Sequence, residues 1–182
     1  MLVRKALFVA IVLFVSTLSA AAAEAQKVQV VPLSRDGEIF VSFQFAETLT
    51  DEIRTAIHSG LMIRFEYTVE LRRSATVWFD RTIDTHKVTA TVKYDTLTRR
   101  YQVSRIIDGR TEWMDSTDSE DTAWKALTND FARLALFHGL ALEPNAEYYV
   151  RVSAHTSPRN ASFLWPWSAA DAVGFAKFTF IR

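Results

Sequence analysis

The sequence predicts a mainly β, α+β fold: an antiparallel β-sandwich or curled sheet of about seven strands, with one main helix and one short helix packed on it. Three observations lead to this prediction. Residues 61–72 alternate apolar and polar side chains over twelve positions, as a strand with one buried face requires. Turn signals separate the extended segments, as in hairpins. No strand–helix–strand rhythm appears, which disfavours a parallel sheet.

The first predicted elements are a strand, a short helix and a second strand. Residues 38–45 alternate, with their apolar side chains on one face. Within residues 50–60, Thr50 is placed to cap a helix and Gly60 to end it in a left-handed conformation. The long alternating strand over residues 61–72 follows directly.

An extended region follows over residues 76–94. The apolar period shifts at His86, so we predict a bulge or bend near residues 83–85. Residues 95–98 form a turn that opens on an aspartate, and residues 99–107 return as a strand. Asp108-Gly109 then predicts a tight hairpin into residues 110–115.

The main helix is predicted over residues 118–137, with Asp118 or Ser119 as its cap and His138 near its end. Its apolar residues recur at helical spacing: Trp124, Leu127, Phe131 and Leu134. Two further strands are predicted over residues 148–154 and 173–181.

The N-terminus has the three parts of a secretory signal: Arg4 and Lys5, an apolar run over residues 6–15, and a small-residue exit. We predict a signal peptide over residues 1–25, cleaved after Ala25 or after Ala23. The alternative is an uncleaved anchor helix, because residues 6–23 are 18 uncharged positions, near the lower limit for crossing a bilayer. The alanine-rich signal predicts a bacterial protein of the periplasm or the medium.

Removing this segment changes the composition. The chain has 21 basic and 21 acidic residues. Residues 1–25 hold two bases and one acid, so 19 and 20 remain and the net charge becomes −1. That balance disfavours a nucleic-acid-binding surface. The absence of cysteine excludes disulfides, a lipoprotein anchor and thiol catalysis. We expect a short N-terminal segment over residues 26–35 and a single β-rich domain over residues 36–182.

Standard catalytic and metal-binding motifs are missing from the sequence. It contains no nucleophile elbow, phosphate-binding loop or compact histidine pair, and we predict no metal and no cofactor. The nearest approach to a catalytic cluster is Asp80, Asp84 and His86, since a carboxylate beside an imidazole could tune a general base. A solvated polar strand face is the alternative interpretation.

Two other groups of residues are candidates for binding. Arg64, Glu66, Glu70 and Arg72 alternate in charge along the exposed face of one strand, which cross-strand ion pairs explain and a ligand-binding groove would also fit. The segment Trp165-Pro166-Trp167, together with Trp78, supplies aromatic side chains that could grip a sugar, a peptide or a membrane interface. They could equally fold back over an open end of the core.

Several short motifs occur together along the chain. They are Trp78-Phe79-Asp80, the run Tyr94-Asp95-x-Leu97-Thr98-Arg99-Arg100-Tyr101-x-Val103, Leu142-Glu143-Pro144 and Tyr148-Tyr149-Val150-Arg151-Val152. In this combination the sequence resembles the bacterial exported family called domain of unknown function 4390, over roughly residues 36–182. The resemblance implies an exported β-rich domain and transfers no activity.

We therefore expect a non-enzymatic periplasmic domain that binds another envelope component, a protein or a polysaccharide, and no nucleic acid. The first alternative is a hydrolase or other carbohydrate-active enzyme that uses Asp80, Asp84 and His86. The second is a module of the membrane surface that uses Trp165 and Trp167.

Overall fold

A computed structural model describes residues 27–74, 80–157 and 172–181. The predicted signal segment and the candidate binding residues Trp78, Trp165 and Trp167 lie outside these ranges. The described elements are β1 (Val28–Arg35), β2 (Glu38–Phe45), α1 (Asp51–His58), β3 (Ile63–Arg73), β4 (Arg81–Asp95), β5 (Arg100–Ile107), β6 (Arg110–Thr117), α2 (Glu120–Thr128), β7 (Phe131–Phe137), β8 (Glu147–Ser157) and β9 (Ala172–Thr179).

These strands form two sheets in which all pairs are antiparallel. The smaller sheet has the order β1-β2-β7, and the larger has the order β6-β5-β4-β3-β8-β9. This arrangement confirms the predicted fold class, a mainly β antiparallel sandwich with two short helices. Among the described residues, no helix has the length and apolar character to cross a membrane.

An aromatic cluster joins the two sheets. Phe43 of β2 stacks on Phe131 of β7 with ring centroids 4.4 Å apart, and Tyr67 of β3 lies 4.8 Å from the Phe131 ring. All three side chains are almost fully buried. The Tyr67 hydroxyl donates a hydrogen bond of 2.6 Å to the Leu127 carbonyl oxygen in α2. The same side chain therefore fills the core and holds the second helix against it.

Several local predictions are confirmed. The Thr50 hydroxyl accepts a hydrogen bond from the Ile53 N–H, and Gly60 has a φ of 84°. In the β3–β4 pair, Leu71 faces Asp84 and Arg72 faces Thr82, which leaves Ile83 as the extra residue of a bulge. The Asp108-Gly109 turn has positive φ at both positions, as a tight hairpin requires.

The prediction of one helix over residues 118–137 is wrong in its second half. The helix α2 ends at Thr128, and β7 follows over Phe131–Phe137. In the β2–β7 pair, Val41 faces Leu134 and Phe43 faces Phe131, so three steps on β7 match two on β2. This bulge points Phe131 and Leu134 to the same side although they are three residues apart. Three residues is also the spacing of a helix face, so the apolar pattern fits a bulged strand as well as a helix. His138 consequently follows a strand instead of a helix.

Residues 28–35, which belong to the expected short N-terminal segment and for which no helix or strand was predicted, form the strand β1, and all eight of these residues pair with β2. Pro32 lies inside this strand, where it can donate no hydrogen bond. The position is tolerated because β1 is at the edge of its sheet. Strand β1 also passes β9 at very short distance: a Cβ atom on Gly174 would lie 1.9 Å from the Val28 carbonyl oxygen. A residue without a side chain is therefore required at this crossing.

Candidate functional site

The best candidate for a binding site is a concave region on the outer face of the larger sheet, here called the sheet-face pocket. Its volume is about 390 Å³. The residues that line it are Arg72, Ser74, Asp80, Tyr149, Arg151, Phe175 and Lys177.

The register of three neighbouring strands builds this pocket. Arg72 faces Tyr149, and Tyr149 faces Lys177, so these side chains form one row across β3, β8 and β9. Side chains two residues apart on a strand lie on the same face. The next row on that face therefore contains Glu70, Arg151 and Phe175.

Two of the three cations in the pocket are neutralised by neighbouring carboxylates. Arg151 Nη1 donates to Glu70 Oε2 at 2.8 Å, and Lys177 Nζ donates to Glu147 Oε1 at 2.7 Å. The hydrogen bond with Glu147 and the charge of that carboxylate raise the pKa of Lys177, so this amine stays protonated at neutral pH. The pair between Glu70 and Arg151 confirms that cross-strand pairing explains part of the alternating charge row.

Arg72 is different from the other two cations. Its Nη2 donates to the backbone oxygen of Asp80 at 3.3 Å, and its guanidinium lies 5.8 Å from the ring centroid of Tyr149. Within the described part of the chain, no carboxylate forms an ion pair with Arg72. The Nε atom of Arg72 is buried and its Nη2 atom is engaged by Asp80, so Nη1 is the part of this guanidinium that is left for an anion from outside.

Aromatic rings lie beside this cation. The Tyr149 hydroxyl donates to Asp80 Oδ2 at 2.7 Å; burial and this hydrogen bond raise the pKa of Tyr149, so the phenol is neutral at physiological pH. The Phe175 ring lies 6.4 Å from the Tyr149 ring, and Phe175 is 52% exposed. The pocket thus combines one guanidinium that has no ion pair among the described residues with an exposed apolar ring, which suits a carboxylate that carries an apolar or ring-shaped group.

The structure separates the three residues of the candidate catalytic cluster. Asp80 lines the sheet-face pocket. Asp84 and His86 lie further along β4, where His86 Nε2 is 3.4 Å from Asp84 Oδ2. A second carboxylate, which is distant from His86 in the sequence, comes from the turn between β5 and β6: Asp108 Oδ2 lies 2.5 Å from His86 Nδ1.

This geometry favours a structural role for His86. Both ring nitrogens face carboxylates, and the Nε2 atom is buried. A general base needs an unprotonated nitrogen that reaches the substrate, whereas His86 joins β4 to the β5–β6 turn. Asp108 also accepts a hydrogen bond from the Lys87 N–H at 2.8 Å. Burial alone would raise the pKa of Asp108, but the hydrogen bonds from Lys87 and His86 outweigh it and lower that pKa.

We predict that the D108N variant is less stable than the parent by about 1 kcal/mol near pH 6. Asparagine tolerates the positive φ of this turn and can still accept from Lys87, so the substitution removes mainly the charge that faces His86. A carboxyl with a lowered pKa in the folded state stabilises the protein above its unfolded pKa of about 3.9, and this contribution is lost as the pH falls through the folded value.

Urea unfolding at pH 6 and at pH 3 measures this effect. The difference between D108N and the parent should be smaller at pH 3 than at pH 6, because the stabilising effect declines as the pH falls through the lowered folded-state pKa of Asp108. The D115N variant, on the neighbouring strand β6, is the control and should stay within about 0.5 kcal/mol of the parent at both pH values. A D108N deficit of equal size at pH 3 would contradict the assigned role of the charge.

In the described ranges, no three histidine, aspartate or glutamate side chains are grouped so that they could hold a metal ion. Of the seven residues that line the pocket, the sequence singled out Arg72 and Asp80 as candidates but not the other five: Ser74, Tyr149, Arg151, Phe175 and Lys177. The predicted strand over residues 148–154 alternates, which is a signal that Tyr149 and Arg151 share the face opposite its apolar side chains. The strand register that brings them beside Arg72 has no signal in the sequence itself.

Fold and site together define a class: an antiparallel β-sandwich domain with a pocket of basic and aromatic side chains on one sheet. The chain belongs to the family described as domain of unknown function (DUF4390), whose family model matches residues 20–161. No curated protein and no solved structure matches the chain.

Proposed function

We propose that this protein is an exported, non-enzymatic domain of the bacterial periplasm, which binds another envelope component through a carboxylate group. The observation that carries this proposal is Arg72, a guanidinium without a carboxylate partner in the described part of the chain, beside the exposed ring of Phe175. The partner would be an envelope protein or polysaccharide that presents the carboxylate.

The size and charge of the sheet-face pocket support one carboxylate instead of a multiply charged group. Arg151 and Lys177 already have carboxylate partners, and the Asp80 carboxylate accepts from Tyr149, so among the described residues Arg72 is the pocket cation that is left without an ion pair. Arg72 Nη1 would donate a charge-assisted hydrogen bond to the bound carboxylate. The position of Tyr149 beneath Arg72 restricts the guanidinium before binding, which reduces the entropy that binding must overcome.

A pull-down from periplasmic extract tests the function. The bait is the protein recovered from the periplasm after expression of the full chain, compared with its R72Q and R64Q variants. Arg64 is the matched control, because it lies on the same face of the same strand and its side chain is 46% exposed. We expect a reproducible partner with the parent and R64Q, and its loss with R72Q. Equal capture by all three proteins would contradict the role of the pocket, and turnover of a substrate by the parent without a partner would contradict the non-enzymatic proposal.

A small probe tests the ligand chemistry directly. Phenylacetate carries a carboxylate beside a ring, and phenylacetamide is its uncharged equivalent. We expect phenylacetate to shift the backbone NMR signals of residues around Arg72 and Phe175 with a dissociation constant of about 1 mM. The R72Q variant should bind at least about tenfold more weakly than the parent, while R64Q should bind like the parent. Equal shifts with the amide would contradict recognition of a carboxylate.

Export rests on the pattern of residues 1–25 and is tested by the mass of the protein recovered from the periplasm. Cleavage after Ala25 leaves Gln26 as the first residue, and cleavage after Ala23 leaves Glu24. Full-length protein found only in the membrane fraction would support the anchor alternative. Full-length protein found only in the cytoplasm would contradict export.

A further inference from the structure

The turn between β4 and β5, which belongs to the Tyr-Asp-x-Leu-Thr-Arg motif, carries an apolar side chain that the fold does not use. Leu97 is 93% exposed in the turn over residues 96–99. The turn is held in one shape, because Asp95 Oδ1 accepts hydrogen bonds from the Leu97 N–H at 2.9 Å and from the Thr98 N–H at 3.2 Å. These two hydrogen bonds lower the pKa of Asp95.

Aromatic contacts also support the base of this hairpin. Tyr94 and Tyr101 face each other across the strands with ring centroids 4.9 Å apart. His58, at the end of α1, lies 4.9 Å from the Tyr94 ring, and its Nε2 is 3.2 Å from the Tyr101 hydroxyl. The fold therefore supports the hairpin from below and leaves Leu97 in solvent, where it contributes nothing to stability.

Further exposed apolar side chains lie at the same end of the sheet. Leu61 and Met62 are 44% and 47% exposed. They follow Gly60, where an added Cβ would lie 4.0 Å from the Tyr94 backbone oxygen. They precede Ile63, which pairs with Val92. Both neighbours therefore lie beside the end of β4 that leads into the hairpin. We use the name hairpin tip for these three exposed residues at one end of the sheet: Leu61, Met62 and Leu97.

Within the hairpin that carries Leu97, the charges have one predominant sign. Residues 93–100 contain three bases, Lys93, Arg99 and Arg100, and one acid, Asp95, for a net charge of +2. All three basic residues are exposed, and the carboxylate of Asp95 is directed into the turn. An exposed apolar group surrounded by exposed cations is the composition that binds an anionic lipid surface: the apolar group enters the acyl boundary while the cations meet the headgroups.

We propose that the hairpin tip docks on an anionic phospholipid membrane, with Leu97 inserted and with Lys93 and Arg99 on the lipid headgroups. This inference goes beyond the binding function proposed for the sheet-face pocket and uses none of its residues. Arg72 is nine residues along β3 from Ile63, which corresponds to about 30 Å of strand. Docking by the tip therefore leaves the pocket clear of the membrane and open to a partner.

Co-sedimentation with vesicles tests this proposal, using protein recovered from the soluble periplasmic fraction. The vesicles are pure phosphatidylcholine, or a 3:1 mixture of phosphatidylcholine and phosphatidylglycerol. We expect the parent to bind the mixed vesicles and not the neutral ones. The L97S variant should bind about tenfold more weakly, since a leucine side chain no longer enters the lipid. The K93Q/R99N double variant should lose tenfold or more on the mixed vesicles.

The control is M114S, because Met114 is 71% exposed on β6, outside the hairpin tip. This variant should bind the mixed vesicles within twofold of the parent. The proposal fails if the parent does not bind these vesicles, or if L97S binds them as well as the parent does. It also fails if M114S loses as much binding as L97S, because exposed apolar area would then matter and not the position of Leu97.

Discussion

The G174A variant is expected to lose about 3 kcal/mol or more of folding stability, although the substitution adds one methyl group. Gly174 lies in β9 where this strand passes β1, and its added Cβ would be 1.9 Å from the Val28 carbonyl oxygen and 2.7 Å from the carbonyl carbon. These are backbone atoms, so no rotamer change can relieve the overlap. The edge of the smaller sheet must then move away from the larger sheet, and Val28, which is fully buried, would be exposed.

Urea unfolding measured by tryptophan fluorescence tests this prediction. The control is G139A: Gly139 has a φ of 68°, and nothing lies within 4 Å of its added Cβ. That variant meets only the backbone strain of a left-handed position, about 1 to 2 kcal/mol. If G174A were no less stable than G139A, the close approach of β1 and β9 would be contradicted.

The F131A variant is expected to lose about 3 to 5 kcal/mol. Phe131 is 1% exposed and contacts the Phe43 and Tyr67 rings, and the Arg105 guanidinium lies 5.0 Å from its ring centroid. Truncation would leave a cavity between the sheets, because the neighbouring rings belong to different strands and cannot close it together. Denaturant unfolding of the variant and the parent at one pH measures the loss.

R133G is the matched control on the same strand, and the direction of its change in stability distinguishes a strand from a helix. Arg133 has a φ of 52° in the bulge of β7, and its N–H donates to Ser42 Oγ at 3.0 Å. Glycine accepts this conformation without strain and keeps the hydrogen bond, so R133G should be as stable as the parent or more stable by about 1 kcal/mol. In a helix interior the same substitution would cost about 1 kcal/mol. A destabilised R133G would therefore support the helix predicted from the sequence and contradict the strand.

The sheet-face pocket and the hairpin tip lie toward opposite ends of β3, and each has its own variants and its own assay. A protein that loses its partner with R72Q but keeps vesicle binding would support the pocket alone. The reverse result with L97S would support the tip alone. The two proposals can therefore fail independently.

Much of the fold followed from local signals in the sequence. The alternation of residues 61–72 predicted β3, and Thr50 and Gly60 predicted the ends of α1. The change of apolar period near His86 predicted the bulge at Ile83. These features depend on the geometry of a few consecutive residues, so composition and spacing are sufficient to identify them.

The candidate site was predictable only in part. The sequence placed Arg72 and Glu70 on an exposed strand face, but Tyr149, Phe175 and Lys177 come from strands 77 to 105 residues later in the chain. His86 is a similar case, since its closest carboxylate is Asp108 and not Asp80. Such partners are selected by register, which depends on how whole strands pair and not on the residues nearby.

The sequence by itself therefore determined an antiparallel, mainly β domain, most of its turns, and which faces of its strands are exposed. Tertiary structure alone decided that Phe131 and Leu134 belong to a strand, since a bulge and a three-residue helix step give the same apolar spacing. It also decided that Gly174 meets β1 and that Arg72 meets Tyr149. The physical reason is that apolar periodicity shows which face of a strand or helix is buried. Which distant backbone lies against that face is decided by the packing between the sheets.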